Sequence, residues 1–241
     1  MHYSADLHIH SCLSPCGSLE MSPLRIVNEA EERGINIIAI ADHNSAKNCP
    51  AFHAICNKRG IAHVFGVEAT SMEEAHILCL FDTLDTVMDF DNFLYSSLPD
   101  IPNNPERFGD QVYVDEYEQI EGEVEKYLNS ALDLSIDTIK DEVIKRNGLY
   151  IPAHIDKPMF SIPAQLGFLP EDNYSAIEIS REQELKSAKG YPVITNSDAH
   201  YPEDIGKKYT NINVEEFNWP NFCAAIMQGK TTPVFSQRFK H

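Results

Sequence analysis

Short apolar, β-branched runs alternate with amphipathic segments along this chain. Strand-like runs fall at 5–9, 35–41, 61–67, 75–81, 149–153, 176–179, 193–195 and 210–214, with helical segments between most of them. This alternation predicts an α/β domain built on a largely parallel sheet. The clearest helix is 23–33. Ser22 suits its N-cap and Pro23 its first position, while Pro23, Ile26, Val27 and Ala30 share one face at i, i+3, i+4 and i+7 spacing, and Gly34 ends it. Residues 135–147 repeat this grammar up to Gly148. Only six residues separate Glu68 from Ala75, too few for the crossover that parallel strands need, so a hairpin-like return is expected there.

The segment 82–135 breaks the alternation. It holds Pro99, Pro102, Pro105 and 14 acidic residues against Arg107 and Lys126, which concentrates −12 of the chain's net charge of −18. It reads as an insertion or helical excursion with a solvated acidic face, irregular over 99–109. At 241 residues, 43% hydrophobic and 23% charged, the chain suits one large domain, 1–241, and not a disordered or fibrous protein. Its acidity disfavours long nucleic acid and anionic membranes as partners. No apolar run approaches the roughly 18–20 residues of a membrane span. No secretory pattern opens the sequence and its six cysteines read as reduced thiols, so a cytoplasmic location is expected.

Six of the ten histidines lie at or beside predicted strand ends: His8, His10, His43, His76, His154 and His200. In His8-Ile9-His10 the strand period of two turns both imidazoles to one face and Ile9 to the other, which is a chelating arrangement. Asp198-Ala199-His200 repeats the i, i+2 pairing after 192–195. The tight return makes Glu68 and His76 neighbours, and His154 closes its own strand. In α/β barrels such strand ends gather in one cleft. Six His, one Glu and one Asp exceed the roughly four ligands of one zinc ion, so two or three divalent metals are implied. Imidazole-rich shells suit Zn, Mn or Fe better than Mg or Ca. Asp6 and Asp42 are expected to orient imidazoles from behind. His2, His53, His63 and His241 join no constellation.

Four motifs carry a family resemblance: Asp6-Leu7-His8-Ile9-His10-Ser11, Ala41-Asp42-His43-Asn44, Gly66-Val67-Glu68 with Ala75-His76-Ile77-Leu78, and Ala153-His154 paired with Ser197-Asp198-Ala199-His200. In these the sequence resembles the polymerase and histidinol phosphatase (PHP) family of metal-dependent phosphoesterases. The resemblance implies a distorted, seven-stranded TIM-like barrel with a two- or three-metal site. By it, His8, His10, Glu68 and Asp198 would hold one metal, and Glu68 would bridge to a second completed by His76 and His154. His43 and His200 would belong to a third. Members with an Asp or His five or six residues after the second histidine of the first motif use it on that third metal. Here those positions are Pro15 and Cys16, so either Cys16 supplies a thiolate or the third site is weaker or empty.

The chemistry expected is hydrolysis of a small phosphomonoester, of nucleotide or sugar-phosphate type, by metal-activated water. Two metals about 3.5–4 Å apart can clamp the attacking and leaving oxygens. Ser11 and Ser197 sit in no G-x-S-x-G pattern, which argues against a serine nucleophile. Without a third metal, His200 or His43 would protonate the leaving group. For phosphate, Arg181 is the first candidate cation, Lys157 the second, and Lys207 with Lys208 the third, all from strand-end position. Three alternatives accompany this reading. One is a phosphodiesterase or nuclease on short oligonucleotides, which needs a basic track. Another is a catalytically decayed metal-binding regulatory module. The last is a metal-dependent amidohydrolase, against which stands the lack of any Lys in the four motifs.

Overall fold

The structure, a computed structural model, describes residues 2–235; His241, given no role above, lies outside them. From β1 (His2–Ile9) the chain runs through α1 (Pro23–Glu32), β2 (Ile37–Ile40), α2 (Cys49–Arg59) and β3 (Ala62–His63) to β4 (Phe65–Thr70) and β5 (His76–Phe81). Next come α3 (Leu84–Ser97), α4 (Pro105–Phe108), β6 (Val112–Val114), β7 (Ile120–Glu123), α5 (Ile136–Lys145) and β8 (Leu149–Pro152). The last part holds α6 (Ile162–Leu166), β9 (Ile177–Glu178), β10 (Val193–Ile194), β11 (Tyr209–Asn213), α7 (Trp219–Met227) and β12 (Thr231–Val234).

This is a mixed α/β fold, but neither one parallel sheet nor a closed barrel. Among the described residues the strands form four sheets, in the orders β12-β11-β1-β2-β3, β4-β5-β8, β9-β10 and β6-β7. Pairing is parallel across β1-β2-β3 and β9-β10, and antiparallel in β4-β5-β8 and β1-β11-β12. The physical reason lies in connection and length. The return at 71–75 is as tight as expected and reverses the chain, while β9 and β10, two residues each, cannot sustain a ladder. Short bridges of one or two backbone bonds link the sheets instead: Glu68 N–H to Asp42 O and Asn44 N–H to Glu68 O at 3.0 Å each, Ile155 N–H to Glu178 O at 2.9 Å, and Asp198 N–H to His8 O and His10 N–H to Ala199 O at 2.9 Å each. These bonds draw the chemistry-bearing strand ends together.

Helix α1 forms as its sequence dictates. Ser22 Oγ accepts from Arg25 N at 3.1 Å, and Pro23, Ile26, Val27 and Ala30 are buried against Ile9, Ile38 and Ile40. The 61–67 run, by contrast, breaks at Val64, whose N–H donates to Ile38 O, so that Glu68 lies within β4 and not beyond it. Gly66 permits this approach, since a Cβ there would meet Ile40 O at 2.8 Å.

The 82–135 segment is not solvated throughout. Val87, Phe90 and Leu94 of α3, together with Val124, Leu128 and Leu132, enter the largest apolar core and leave most acidic residues outside. The stretch 99–109, expected to be irregular, contains α4, with Pro105 at its first turn. Because β5 runs antiparallel to β4, the segment starts at the far end of the sheet. It travels back to donate Leu132 N–H to Thr70 O at 2.9 Å, and it accepts from Asn44 Nδ2 at Leu128 O and Ser130 O. Among the described residues no helix is long and apolar enough to cross a membrane.

Candidate metal centre

All eight strand-end residues converge. Ile9 is fully buried against α1, which leaves His8 and His10 on the opposite face of β1 with ring centroids 5.2 Å apart. Glu68, 1% exposed, is the hub: its Oε1 lies 3.0 Å from His76 Nδ1, 3.0 Å from His154 Nε2 and 3.3 Å from His8 Nε2. Its Oε2 lies 3.1 Å from His43 Nδ1 and 3.4 Å from His10 Nε2. Asp198 Oδ1 faces His10 Nε2 at 3.3 Å and His8 Nε2 at 3.7 Å. Asp198 has φ +54° and His154 φ +28°, left-handed conformations uncommon outside Gly and characteristic of functional sites.

Hydrogen bonds from behind decide which ring nitrogens face the centre. Glu178, 2% exposed, brings both carboxylate oxygens to 3.1 Å from His8 Nδ1, and also accepts from His154 N at 2.9 Å and Asn196 Nδ2 at 2.8 Å. A carboxylate accepts only, so His8 Nδ1 carries a proton and Nε2 is the atom left to face the centre. Asp42 accepts from Ser11 N, Ser11 Oγ and Ser14 Oγ at 2.6 Å each. Ser14 Oγ, its own proton thus directed at Asp42, accepts from His10 Nδ1 at 3.0 Å, which frees His10 Nε2 as well. His200 Nδ1 donates to Asp198 O at 2.9 Å.

The result is a set of ring nitrogens aimed at carboxylate oxygens. His8 Nε2, His10 Nε2 and His43 Nδ1 are buried without a hydrogen-bond partner. Nitrogen and oxygen facing each other at 3.1–3.7 Å need positive charge between them, a proton in the metal-free protein or a metal ion in its place. Three sets of donor atoms lie within 4.8 Å of one another: His8/His10/Asp198, His43/Glu68/His76 and His10/His43/His200. The donor set therefore fits divalent transition metals, in clusters that share His10 and His43.

Protonation follows the same electrostatics. Burial opposes charge on His8, but Glu178, Glu68 and Asp198 outweigh it and hold its pKa well above the ordinary value. Likewise His10, buried yet bonded to Asp198 and Glu68, rises to about 9. Burial with neighbouring imidazoles pushes His43 well below its ordinary value despite Glu68, and burial with His10 takes His200 down to about 4. Against the burial that would raise them, the imidazoles hold Glu68 and Asp198 well below the carboxylate range, and Glu178 at about 2. Carboxylates stay charged, and His43 and His200 stay neutral, as metal ligands must.

The remaining candidates separate. Lys157 lines a cavity of about 400 Å³ over the centre, beside His43, His76, His154 and His200, and its ammonium bonds Asp198 Oδ2. Arg181 does not line that cavity and is engaged by Asp156, through Oδ2 at 3.0 Å and the carbonyl. Lys207 pairs with Asp204 at 2.7 Å. Cys16 lines the cavity, as Asn129 does, but is exposed and joins none of the three donor sets. Asp42 acts behind His10 as expected, whereas Asp6 touches no imidazole. Its carboxylate accepts from Ser197 N at 2.9 Å and Gly206 N at 2.8 Å, so it anchors the loop that carries Asp198. Glu178 was not singled out from the sequence. Its signal is a lone acid inside the apolar run Ala176-Ile177-Glu178-Ile179, on the strand face opposite its neighbours.

Comparison with known proteins places this geometry. The PHP domain family matches residues 6–177, and the PHP-associated family matches 173–231. The centre draws on both, since Asp198 and His200 lie only in the second. The "Uncharacterized protein YqxK" of Bacillus subtilis strain 168 is 24% identical over 92% of this chain and 61% of its own length. The lesion-specific endonuclease PfuEndoQ from Pyrococcus furiosus superposes with a TM-score of 0.67 at 20% identity, over 97% of this chain and 58% of the enzyme. Endonuclease Q in complex with a 27-mer duplex carrying an abasic lesion at its active site gives 0.67 at 21% identity, over 95% and 57%. The chain thus spans about three-fifths of the length of these relatives.

Proposed function

This chain belongs to the PHP family of metal-dependent phosphoesterases, and from that premise we propose that its strand-end centre hydrolyses a small phosphomonoester of nucleotide or sugar-phosphate type. The observation that carries the reading is the set of buried imidazole nitrogens aimed at Glu68 and Asp198, with a lysine ammonium on the cavity wall. His8, His10, Glu68 and Asp198 would hold one Zn, Mn or Fe ion, and Glu68, His76 and His154 a second. His43 and His200 would hold a third, with Cys16 near enough to the cavity to complete it only if its thiol ionises. Bound cations of this kind neutralise phosphoryl oxygens and acidify water.

The chain's own residues do the rest. Glu178 and Ser14 hold the rings of His8 and His10 in the ligating tautomer. Lys157, kept charged by Asp198 against its burial, offers its remaining donors to a phosphoryl oxygen. It replaces Arg181 as the first phosphate candidate, because Arg181 is spent on Asp156. The depressed pKa values of His43 and His200 favour ligation over proton donation to a leaving group. We take 1–241 as one catalytic unit, since the centre needs residues from both family matches. Six unpaired cysteines support a reducing, cytoplasmic setting.

A second reading, an endonuclease, draws support from the likeness to endonuclease Q, which holds duplex DNA at its active site. That likeness weakens the expectation that long nucleic acid is excluded. Against it stands the −12 charge of 82–135, which returns to the cavity at Asn129. The test is metal-loaded protein offered nucleoside monophosphates, sugar phosphates, short oligonucleotides and an abasic duplex. Release of inorganic phosphate from monoesters supports the first reading. Strand cleavage without phosphate release would replace it with the second, and neither would refute both.

A further inference from the structure

Residues 157–160 line the cavity, and hydrogen bonds hold the loop 157–161 in place. Lys157 N–H donates to His154 O at 2.9 Å, Ser161 Oγ donates to Lys157 O at 2.7 Å, and Phe160 O accepts from His76 N at 2.8 Å. Ser161 also caps α6 by accepting from Ala164 N at 3.2 Å. On this fixed frame Phe160 adopts φ +56°, a left-handed conformation that is an outlier for a bulky side chain. Strain of that kind persists only where surrounding structure imposes it, and it clusters at ligand sites.

What the strained conformation achieves is the placement of a ring. Phe160 stacks on His76 with centroids 4.8 Å apart and planes 12° apart, so one face is covered by a residue that touches Glu68. The side chain nonetheless stays 40% exposed and lines the same cavity as His43, Lys157 and Asp198. A flat apolar surface thus stands one imidazole away from the charged centre. Pro158 and Met159 continue the apolar wall. Asn129 lines the cavity as its one neutral amide among the described lining residues.

We propose that Phe160 is a stacking platform for the leaving group, so that the centre prefers phosphomonoesters carrying a nucleobase over those carrying a sugar alone. The proposal rests on the phosphomonoesterase reading above and names its substrate class. Phe160 is a specificity-determining residue here, not a catalytic one. A purely structural role, supporting His76, would affect every substrate alike.

The experiment compares adenosine 5′-monophosphate with ribose 5-phosphate, which differ by the base, on metal-loaded wild-type protein, Phe160→Ala and Phe160→Trp. Base–aromatic stacking predicts that Phe160→Ala loses roughly 5- to 100-fold more kcat/KM on the nucleotide than on ribose 5-phosphate, chiefly through KM, and that Phe160→Trp keeps the preference. Equal losses on both substrates, or no preference in the wild type, would overturn it. Metal content measured on each variant separates a damaged His76 from a lost platform. If the wild type hydrolyses neither compound, the phosphomonoesterase reading falls, and calorimetric binding of the same pair still judges the platform: equal affinities would refute it, and tighter nucleotide binding that Phe160→Ala abolishes would support it.

Discussion

Two acidic regions of this protein handle their charge in opposite ways. At the strand ends, Glu68 and Glu178 are almost fully buried and the Asp198 side chain is 10% exposed, each carboxylate faces at least one imidazole, and their positions are fixed by bonds between separate sheets. In 82–135, 14 acidic residues are mostly left in water and the segment is held by the apolar faces of α3 and of 124–132. Buried charge needs partners of defined geometry, whereas exposed charge needs none. The first region therefore constrains geometry, and the second leaves its charges free of it.

Removing the hub should separate the regions most sharply. Glu68→Gln leaves up to five imidazoles without their shared carboxylate, and breaking a buried charge set of this kind costs about 3–5 kcal/mol. Urea denaturation of the metal-free protein should show that loss, together with loss of metal binding. Glu178→Gln keeps the size of the side chain but weakens the grip on His8 Nδ1, so metal affinity measured by chelator competition should fall about 10- to 100-fold.

The protons on His8 and His10 offer a subtler probe. Both have folded pKa values raised above the ordinary 6.5, to about 9 for His10. The stabilisation of the metal-free protein by His10 is thus fully present below about pH 6.5 and is lost as pH rises through about 9, and that of His8 is lost in the same direction. Metal must displace these protons, so affinity should climb with pH by about tenfold per unit for each proton across that window. Calorimetry in buffers of different ionisation enthalpy would count them.

Within the acidic segment, Asp91 is the exception that sharpens the contrast. It is 2% exposed and accepts from Ser45 Oγ at 2.8 Å and Ala46 N at 2.7 Å, and Asp91→Ala should cost about 1–3 kcal/mol with metal content intact. Neutralising the exposed Glu116, Glu121 and Glu125 together to Gln should leave metal content and melting behaviour as they are, while easing the approach of oligonucleotides.

Much of the centre was legible because strand periodicity is local. His8-Ile9-His10 needed only a period of two, and the neighbourhood of Glu68 and His76 needed only a short return. What escaped depended on distant parts of the chain. Glu178 becomes meaningful only once β9 lies beside His8, 170 residues away in sequence. Asp6 looked like a partner for imidazole because it flanks His8, but the register shift between β1 and β2 at Asp6 and Ile9 accompanies a turn of its carboxylate toward Ser197 and Gly206. The TIM-like barrel that the resemblance implied does not close among the described residues, since strands such as β9 and β10 pair over only two residues. The acidic segment misled through composition: its charges are counted easily, while Val87, Phe90 and Leu94, which tie it to the core, are outnumbered.

The central claim is that the strand-end centre is a metal-dependent phosphomonoesterase site, and metal content measured alongside turnover tests it most directly. After loading with Mn, Zn or Fe and removal of excess, wild-type protein should retain about two or three equivalents of metal and release phosphate from a monoester. Asp198→Asn should lose metal and turnover together. Less than one equivalent in the wild type, or turnover that survives in Asp198→Asn, would contradict the account.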